Sequence, residues 1–282
     1  MPIRVSEAMQ LMVPVKIKKA VNRSLGFVFS IDRINALFEK TLGHVVDYSR
    51  KLRREYVIDS QLKNLHLFRE YCEHCSVNIR HPYFVKIGAN DGLTGDPCSE
   101  ILLRHANWRG LLVEPVPYCF QRLRENFSDT TRYTLEPVAV GREAGSVKFY
   151  YVSEDAKQNI KDLPAWYDQI GSFSREHILK HLEGSLEPYV CELTLESIPL
   201  SAILLRNDVQ ICNLLHIDTE GFDYEVLQTL DFSKIKPGCI FIEHAHLSVS
   251  ERDGMSALLR TQGYIVRDCG ADLFALLEYS KY

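Results

Sequence analysis

The chain has 282 residues, 46% hydrophobic and 25% charged, ordinary values for a soluble globular protein of one large domain, or one domain with an added segment. Its net charge of -4 gives no global electrostatic reason to expect a nucleic-acid partner. No apolar run approaches the length of a membrane span and no N-terminal stretch has the h-region of a signal peptide. With eight scattered cysteines that suggest a reducing compartment, the expectation is a cytoplasmic protein without disulfides.

Residues 30 to 72 carry helical periodicity. Ile34, Leu37, Phe38, Leu42, Val45 and Val46 recur at three- and four-residue steps, and Leu62, Leu65 and Phe68 extend the pattern. Residues 1–80 therefore read as an N-terminal helical segment that packs on the following domain or on a second subunit, a homodimer through these helices resting on amphipathicity alone. The basic stretch Val15 to Arg23 reads as a solvated helix face. The one C-x-x-C, Cys72 to Cys75, has no second pair to complete a zinc site.

From residue 81 to 282 strands alternate with helices. "YFVKIG" is a buried strand, after which Asp96 and Pro97 predict an N-cap and first helical residue, with Ile101, Leu102, Leu103 and Ala106 on the inner face. "GLLVEP" is the second strand, Pro117 opens the next helix, "YTLEPVAVG" is a third strand and "SVKFYYV" a fourth. Residues 153–188 read as a polar insertion with one helix, "SREHILKHL". "YVCELTLESI" is then a strand, "LLHIDTEG" a buried strand ending in acids, "DYEVLQTL" a helix and "CIFIEHAH" the next strand. A helix around Met255, Leu258 and Leu259 is expected to end at Gly263. The short "GAD" connection makes "YIVRDC" and "LFALLEY" an antiparallel hairpin. The pattern predicts an α/β fold: a mainly parallel sheet covered on both faces, with ligands bound outside the carboxyl ends of its strands.

The first strand ends in "VKIGANDGLTGDP", whose Gly88, Gly92 and Gly95 match neither the G-x-G-x-x-G of a dinucleotide site nor a phosphate loop. Asn90 and Asp91 stand where an acid would repel a pyrophosphate, so a cationic ligand without phosphate fits better; S-adenosylmethionine is such a ligand, the glycines letting backbone approach it closely. Glu114, 26 residues after Gly88, ends the second strand as a candidate acceptor for ribose hydroxyls. Asp218 and Glu220 alternate at a strand end and so point the same way. They are candidates to hold substrate, meet the sulfonium, bind a hard cation or act as a base. Asp223 reads as first-turn charge on the following helix. His244, with His246 after it, is a further candidate base. His177 and His181, four apart on a helix but without the Glu of H-E-x-x-H, read as surface residues.

Together "VKIGANDGLTGDP", "WRGLLVEPVPYCFQRLRENF" and "LLHIDTEGFDYEVLQTL" resemble the FkbM-type S-adenosylmethionine-dependent methyltransferases over about residues 83 to 246. The resemblance implies a class I, Rossmann-like methyltransferase fold of seven strands, over residues 81–282. It implies methyl transfer, generally to a hydroxyl oxygen of a sugar, polyketide or similar metabolite. By position it implies Gly88, Asn90, Asp91 and Gly92 at the methionine end of the cofactor, Glu114 at its ribose, and Val138 and Ala139 beside its adenine. Asp218 and Glu220 would lie near the methyl-transfer locus. "QIGSFSREH" looks like a segment seen in part of the family and would bring Ser172 and Phe173 to the cleft mouth. One departure is Lys86, where family members commonly carry an acid that anchors the cofactor's amino group.

The mechanism expected is in-line displacement by an acceptor oxygen, with Asp218, Glu220 or His244 removing its proton. A divalent cation held by the same carboxylates is the alternative, but no metal ligand is assigned. The acceptor is read as a small-molecule hydroxyl, with the 153–188 insertion covering its pocket. Three rivals are a non-catalytic cofactor-binding or scaffold protein, a nicotinamide-dependent Rossmann enzyme and an N-methyltransferase. The last lacks its usual N/D-P-P-Y-type motif here.

Overall fold

A computed structural model describes residues 57–278, so the periodicity before residue 57, the basic stretch at 15–23 and most of the N-terminal segment lie outside the described residues. A helix over residues 57–78 (α1) leads into β1 (Tyr83–Ile87), α2 (Ser99–Arg104), β2 (Arg109–Val113), α3 (Pro117–Asn126) and β3 (Tyr133–Glu136). There follow β4 (Ala139–Val140), β5 (Gly145–Val152), α4 (Ala156–Asn159), α5 (Arg175–Leu179), β6 (Val190–Ile198) and α6 (Leu200–Arg206). The chain continues through β7 (Leu214–Ile217), α7 (Asp223–Gln228), β8 (Cys239–Glu243), α8 (Val249–Thr261), β9 (Tyr264–Asp268) and β10 (Asp272–Leu277).

Seven strands form one sheet in the order β3-β2-β1-β7-β8-β10-β9. All neighbours pair in parallel except β10, which runs antiparallel to both β8 and β9. This is the expected mainly parallel sheet with a terminal hairpin. The chain walks outward from β1 to β3, then returns to β7 on the other side of β1, so the strand order reverses between β1 and β7. Ligands of open α/β sheets bind outside the carboxyl ends of the strands at such a reversal.

Each strand feeds two cores, as period-two alternation requires. Val85, Ile87, Leu215 and Ile217 face Ile203, Val226, Met255 and Leu259 of α6, α7 and α8. Phe84, Leu112, Leu214 and Phe241 face Phe68, Ile101, Leu102 and Leu123 of α1, α2 and α3. Phe68 stacks on Phe241 with ring centroids 4.2 Å apart and meets Phe274 at 5.7 Å. Cys72 and Cys75 are fully buried in the same core, so the C-x-x-C is packing rather than ligand.

The structure corrects several local expectations. "YTLEPVAVG" is two strands: Pro137 cannot donate to a ladder, and after it β4 leaves the main sheet to pair with β6. β5 and β6 pair antiparallel along their length, completing a separate three-stranded sheet, β4-β6-β5. The 153–188 insertion is not simply polar. Val152, Ala156, Tyr167, Ile170, Ile178 and Leu186 make a small core of their own. Its expected helix is cut to Arg175–Leu179, capped by Ser174, and the chain enters left-handed backbone at Leu182 and Glu183. The helix after β1 starts at Ser99, not at Pro97, and Leu103 is exposed.

Replacing Phe68 by Ala removes a fully buried ring that joins α1 to β8 and β10, and is expected to cost about 3–5 kcal/mol. Urea unfolding followed by circular dichroism measures this; a loss under about 1 kcal/mol would show that α1 contributes little to this core.

Candidate functional site

The carboxyl ends of β1, β2 and β7 open on a cleft of about 790 Å3. The loop after β1 is suspended between its neighbours. The amides of Gly88 and Ala89 both donate to the carbonyl oxygen of Val113, at 3.0 and 2.9 Å. Gly88 has φ +74°, and a Cβ there would lie 1.7 Å from the carbonyl oxygen of Asp218. Only glycine fits, and the close approach it serves is strand against strand.

Glu114 is buried at the end of β2 with both oxygens engaged. One accepts the Asn90 N–H at 2.7 Å, the other the Val116 N–H at 2.8 Å. Burial pushes its carboxyl up to about 7, the two amide bonds offsetting part of that effect. Gly88, Asn90, Glu114, Val138 and Ala139, all expected at the cofactor, line the cleft.

Asp91 and Gly92 do not line it. Asp91 Oδ1 accepts the amides of Leu93 and Thr94, at 2.8 and 2.7 Å, and Oδ2 accepts the Thr94 hydroxyl at 2.7 Å. Burial opposes this charge, but the Thr94 and Leu93 bonds outweigh it and hold the carboxyl below its usual range. The carboxylate closes its own turn, as aspartates in loops often do. Gly92 takes φ +78°, and a Cβ there would lie 2.2 Å from the Phe127 ring, so this glycine serves the packing of α3.

Lys86 is explained by Asp96. β1 alternation puts Lys86 on the α1–α3 side, where its ammonium pairs with the buried Asp96 carboxylate. Burial works against the ammonium, but Asp96 outweighs it and raises the Lys86 pKa. Lys86 in turn helps keep Asp96 low against burial. Asp96 also accepts the Cys98 N–H at 2.7 Å. It is therefore a counter-ion drawn inward, not the exposed helix cap that the sequence suggested. His216, opposite Lys86 in register, lies 3.7 Å from the same carboxylate.

On the other side of the cleft five acids crowd together. Burial first, then Glu220 and Asp223, hold Asp218 well above the ordinary carboxylate range. Burial, then Asp218 and Glu220, do the same to Glu243. Asp272 is raised to about 6 by burial and then by Asp223. Asp223, expected as a first-turn surface charge, is fully buried and accepts the amides of Thr219 and Gly221 at 2.7 and 3.0 Å. It shapes the loop that carries Glu220, itself in left-handed backbone at φ +55°.

His244 does not join Asp218 and Glu220. It is buried, and its Nε2 donates to the carbonyl oxygen of Asp272 at 3.1 Å, so the ring serves the β8–β10 junction. Burial lowers its pKa. Asp168, Gln169 and Phe149, which the sequence reading passed over, line the cleft with Phe173. Asp168 pairs with Arg122 at 3.0 Å, and its carbonyl accepts the Asn90 side-chain amide at 3.1 Å. Ser172 is instead buried, its backbone bridged to Tyr150. Only "QIGSFSREH" marked this part of the insertion.

Lys86→Met leaves Asp96 as a buried, unpaired charge and is expected to cost about 3–5 kcal/mol, while Lys86→Met with Asp96→Leu recovers most of it. Thermal and urea unfolding of both variants measure this; a single variant as stable as the parent would refute the pairing. A second expectation concerns pH. Carboxyls raised in the folded chain bind protons more tightly than in the unfolded one, so their contribution to stability falls as pH rises through the window between the two values. The lowered histidines act in the opposite sense only below about 6.5. The unliganded chain should therefore lose stability as pH rises from about 6.5 to 8, and a melting temperature that climbs across that window would contradict the crowding of Glu114, Asp218 and Glu243.

Comparisons with known proteins bear on the family of the chain. Residues 86–270 match the family model described as the methyltransferase FkbM domain. No curated protein matches the chain. Among solved structures, a methyltransferase FkbM from Methylobacillus flagellatus KT is similar at 15% identity and a TM-score of 0.43, covering 70% of this chain and 44% of its own. This chain thus spans less than half of that protein. A precorrin-6y C5,15-methyltransferase from Geobacter metallireducens GS-15 is similar at 12% identity and a TM-score of 0.34, over 72% of this chain and 84% of its own. A human methyltransferase 10 domain containing protein is similar at 11% identity and a TM-score of 0.37, over 79% and 84%. Structural likeness at this level decides nothing alone, and the assignment stands on the family match over most of the described chain: the protein belongs to the FkbM methyltransferase family.

Proposed function

We propose that the chain transfers a methyl group from S-adenosylmethionine to a hydroxyl oxygen of a sugar or other small metabolite. The observation that carries the reading is the charge of the cleft. Glu114, Asp218 and Glu220 line it beside Asp168, which Arg122 pairs, and Lys86, the one cationic side chain among its lining residues, is already neutralised by Asp96. Such a cleft repels phosphates and suits a ligand with sulfonium and ammonium charges. This disfavours a nicotinamide dinucleotide.

Within the reading, Glu114 offers its remaining lone pairs to ribose hydroxyls while Asn90 and Val116 fix its orientation. Val138 and Ala139 give an apolar wall for adenine. With Lys86 paired to Asp96, Asp218 at the mouth of β1 and β7 is the acid available to the cofactor's amino group. The bound cofactor supplies an electrophilic methyl group. Glu220 lines the cleft and is the group assigned to receive the acceptor's hydroxyl proton. Phe149 and Phe173, packed edge to face at 5.3 Å, add an apolar wall to the cleft. The insertion that carries Phe173 covers the acceptor side.

Thermal-shift assays with S-adenosylhomocysteine and with NAD test the donor, and labelled donor with candidate acceptors tests the reaction. S-adenosylhomocysteine should raise the melting temperature and NAD should not; the reverse would sink the proposal. Glu114→Ala should weaken S-adenosylhomocysteine binding by about tenfold or more, the value of a hydrogen bond to a charged group. Glu220→Gln should bind it normally yet lose most methyl transfer. Binding without transfer in every variant and with every acceptor class would favour a cofactor-binding protein.

A further inference from the structure

Three groups of side chains among the described residues have donor atoms close enough to share an ion: Asp96 with Cys98 and His216, Asp218 with Asp223 and Glu243, and Glu220 with Glu243 and His246. The first already holds a cation, the Lys86 ammonium. In the second, both Asp223 oxygens are taken by backbone amides. The third has no such occupant. Its donor atoms lie within 4.8 Å of one another, with His246 Nε2 at 3.2 Å from Glu220 Oε2 and 3.7 Å from Glu243 Oε1. Glu243 Oε2 is buried with no hydrogen-bond partner.

Two more imidazoles close over this group. His177 and His181, four apart in the insertion, meet edge to face at a centroid separation of 5.1 Å and lie 5.5 and 5.9 Å from the His246 ring. Imidazoles sharing one tetrahedral ion, with metal–nitrogen bonds of about 2.1 Å, have centroids about 5–6 Å apart. His177 Nε2 is a second buried polar atom without a hydrogen-bond partner. Gly221, at φ +97°, presents no side chain to His177 or His246, and a Cβ there would stand 3.3 Å from that of His246. Three histidines from two separate segments, two carboxylates and two unsatisfied buried donors form a more specific arrangement than acidic crowding.

We propose that Glu220, Glu243 and His246, with His177 beside them as the fourth donor, bind one divalent first-row transition ion. Imidazole and carboxylate donors together suit Zn2+ or Co2+ and not Mg2+, which prefers an all-oxygen shell. The ion would bridge the sheet to the insertion and, because Glu220 also lines the cleft, stand beside the acceptor. Polarisation of the acceptor hydroxyl is the use this position allows, and that use alone rests on the methyltransferase reading.

The test uses the untagged full chain stripped with a chelator and titrated with Co2+, followed by visible absorption, and with Zn2+ and Mg2+ by calorimetry. One Co2+ or Zn2+ per chain, with intense absorption between 500 and 700 nm typical of about four-coordinate Co2+ with nitrogen donors, is expected. His246→Asn, at a partly exposed position, and His177→Gln should each weaken Zn2+ at least about tenfold. No binding, binding of Mg2+ alone, or affinity unchanged in both variants would overturn the site. The S-adenosylhomocysteine thermal shift of the metal-free chain is measured alongside. Its loss with Zn2+ binding intact would count against the methyltransferase reading and not against the metal.

Discussion

A buried ammonium cannot stay charged without a counter-ion, and the pairing of Lys86 with Asp96 sets much of the geometry around the cleft. Lys86 is fixed by β1 on the face of the sheet that α1, α2 and α3 cover. Asp96 must come to it, and in doing so draws the far end of the glycine loop down onto the sheet. The near end is already held by two amides on Val113 and by contact with Asp218. A loop pinned at both ends can offer its backbone and Asn90 to a ligand without paying ordering entropy at binding. The lysine that looks like a defect at the cofactor's amino terminus is therefore a clamp on the seat.

The same pair explains the electrostatic division of the site. Once Lys86 is neutralised, no other basic side chain among the lining residues offsets Glu114, Asp218 and Glu220, while Asp168 is paired with Arg122 from outside the cleft lining. Burial, joined at Asp218 and Glu243 by the neighbouring acids, raises the pKa values of Glu114, Asp218 and Glu243, and these groups weaken the fold near neutral pH. A cationic donor and a transition ion would each relieve part of that cost. Their sites meet at Glu220, which belongs to both the cleft and the histidine cluster.

The sheet, its crossovers and the closing hairpin were legible because period-two burial and Pro/Gly punctuation are local signals. The strand-end rule then found Gly88, Asn90, Glu114, Asp218 and Glu220 without any coordinates. What escaped was decided by partners distant in sequence. Nothing near Asp91 says that its oxygens go to Thr94 and Leu93 rather than to a ligand. Asp96 resembles a helix cap until Lys86, ten residues earlier, is placed beneath it. His244 has the right residue type at a strand end, but the neighbouring β10 presents the Asp272 carbonyl to it. His177 and His181 lacked the glutamate of a familiar motif within their own helix, and Glu220, whose charge acts on both, lies on the loop after β7. The second sheet was missed for a similar reason, since a strand's pattern does not name the sheet that receives it.

The contact between Gly88 and the Asp218 carbonyl has a mechanical consequence. A side chain at position 88 would pry β1 from β7, so the tightest requirement of the glycine loop is set by the sheet, whatever the loop binds. The glycine loop and the acids opposite it are in effect one rigid casting, and neither can be reshaped without disturbing the other. The insertion is built differently, with its own apolar core and a separate attachment through β5 and β6. Sequence change has room there that the sheet denies at position 88, on a detachable jaw working against a fixed anvil.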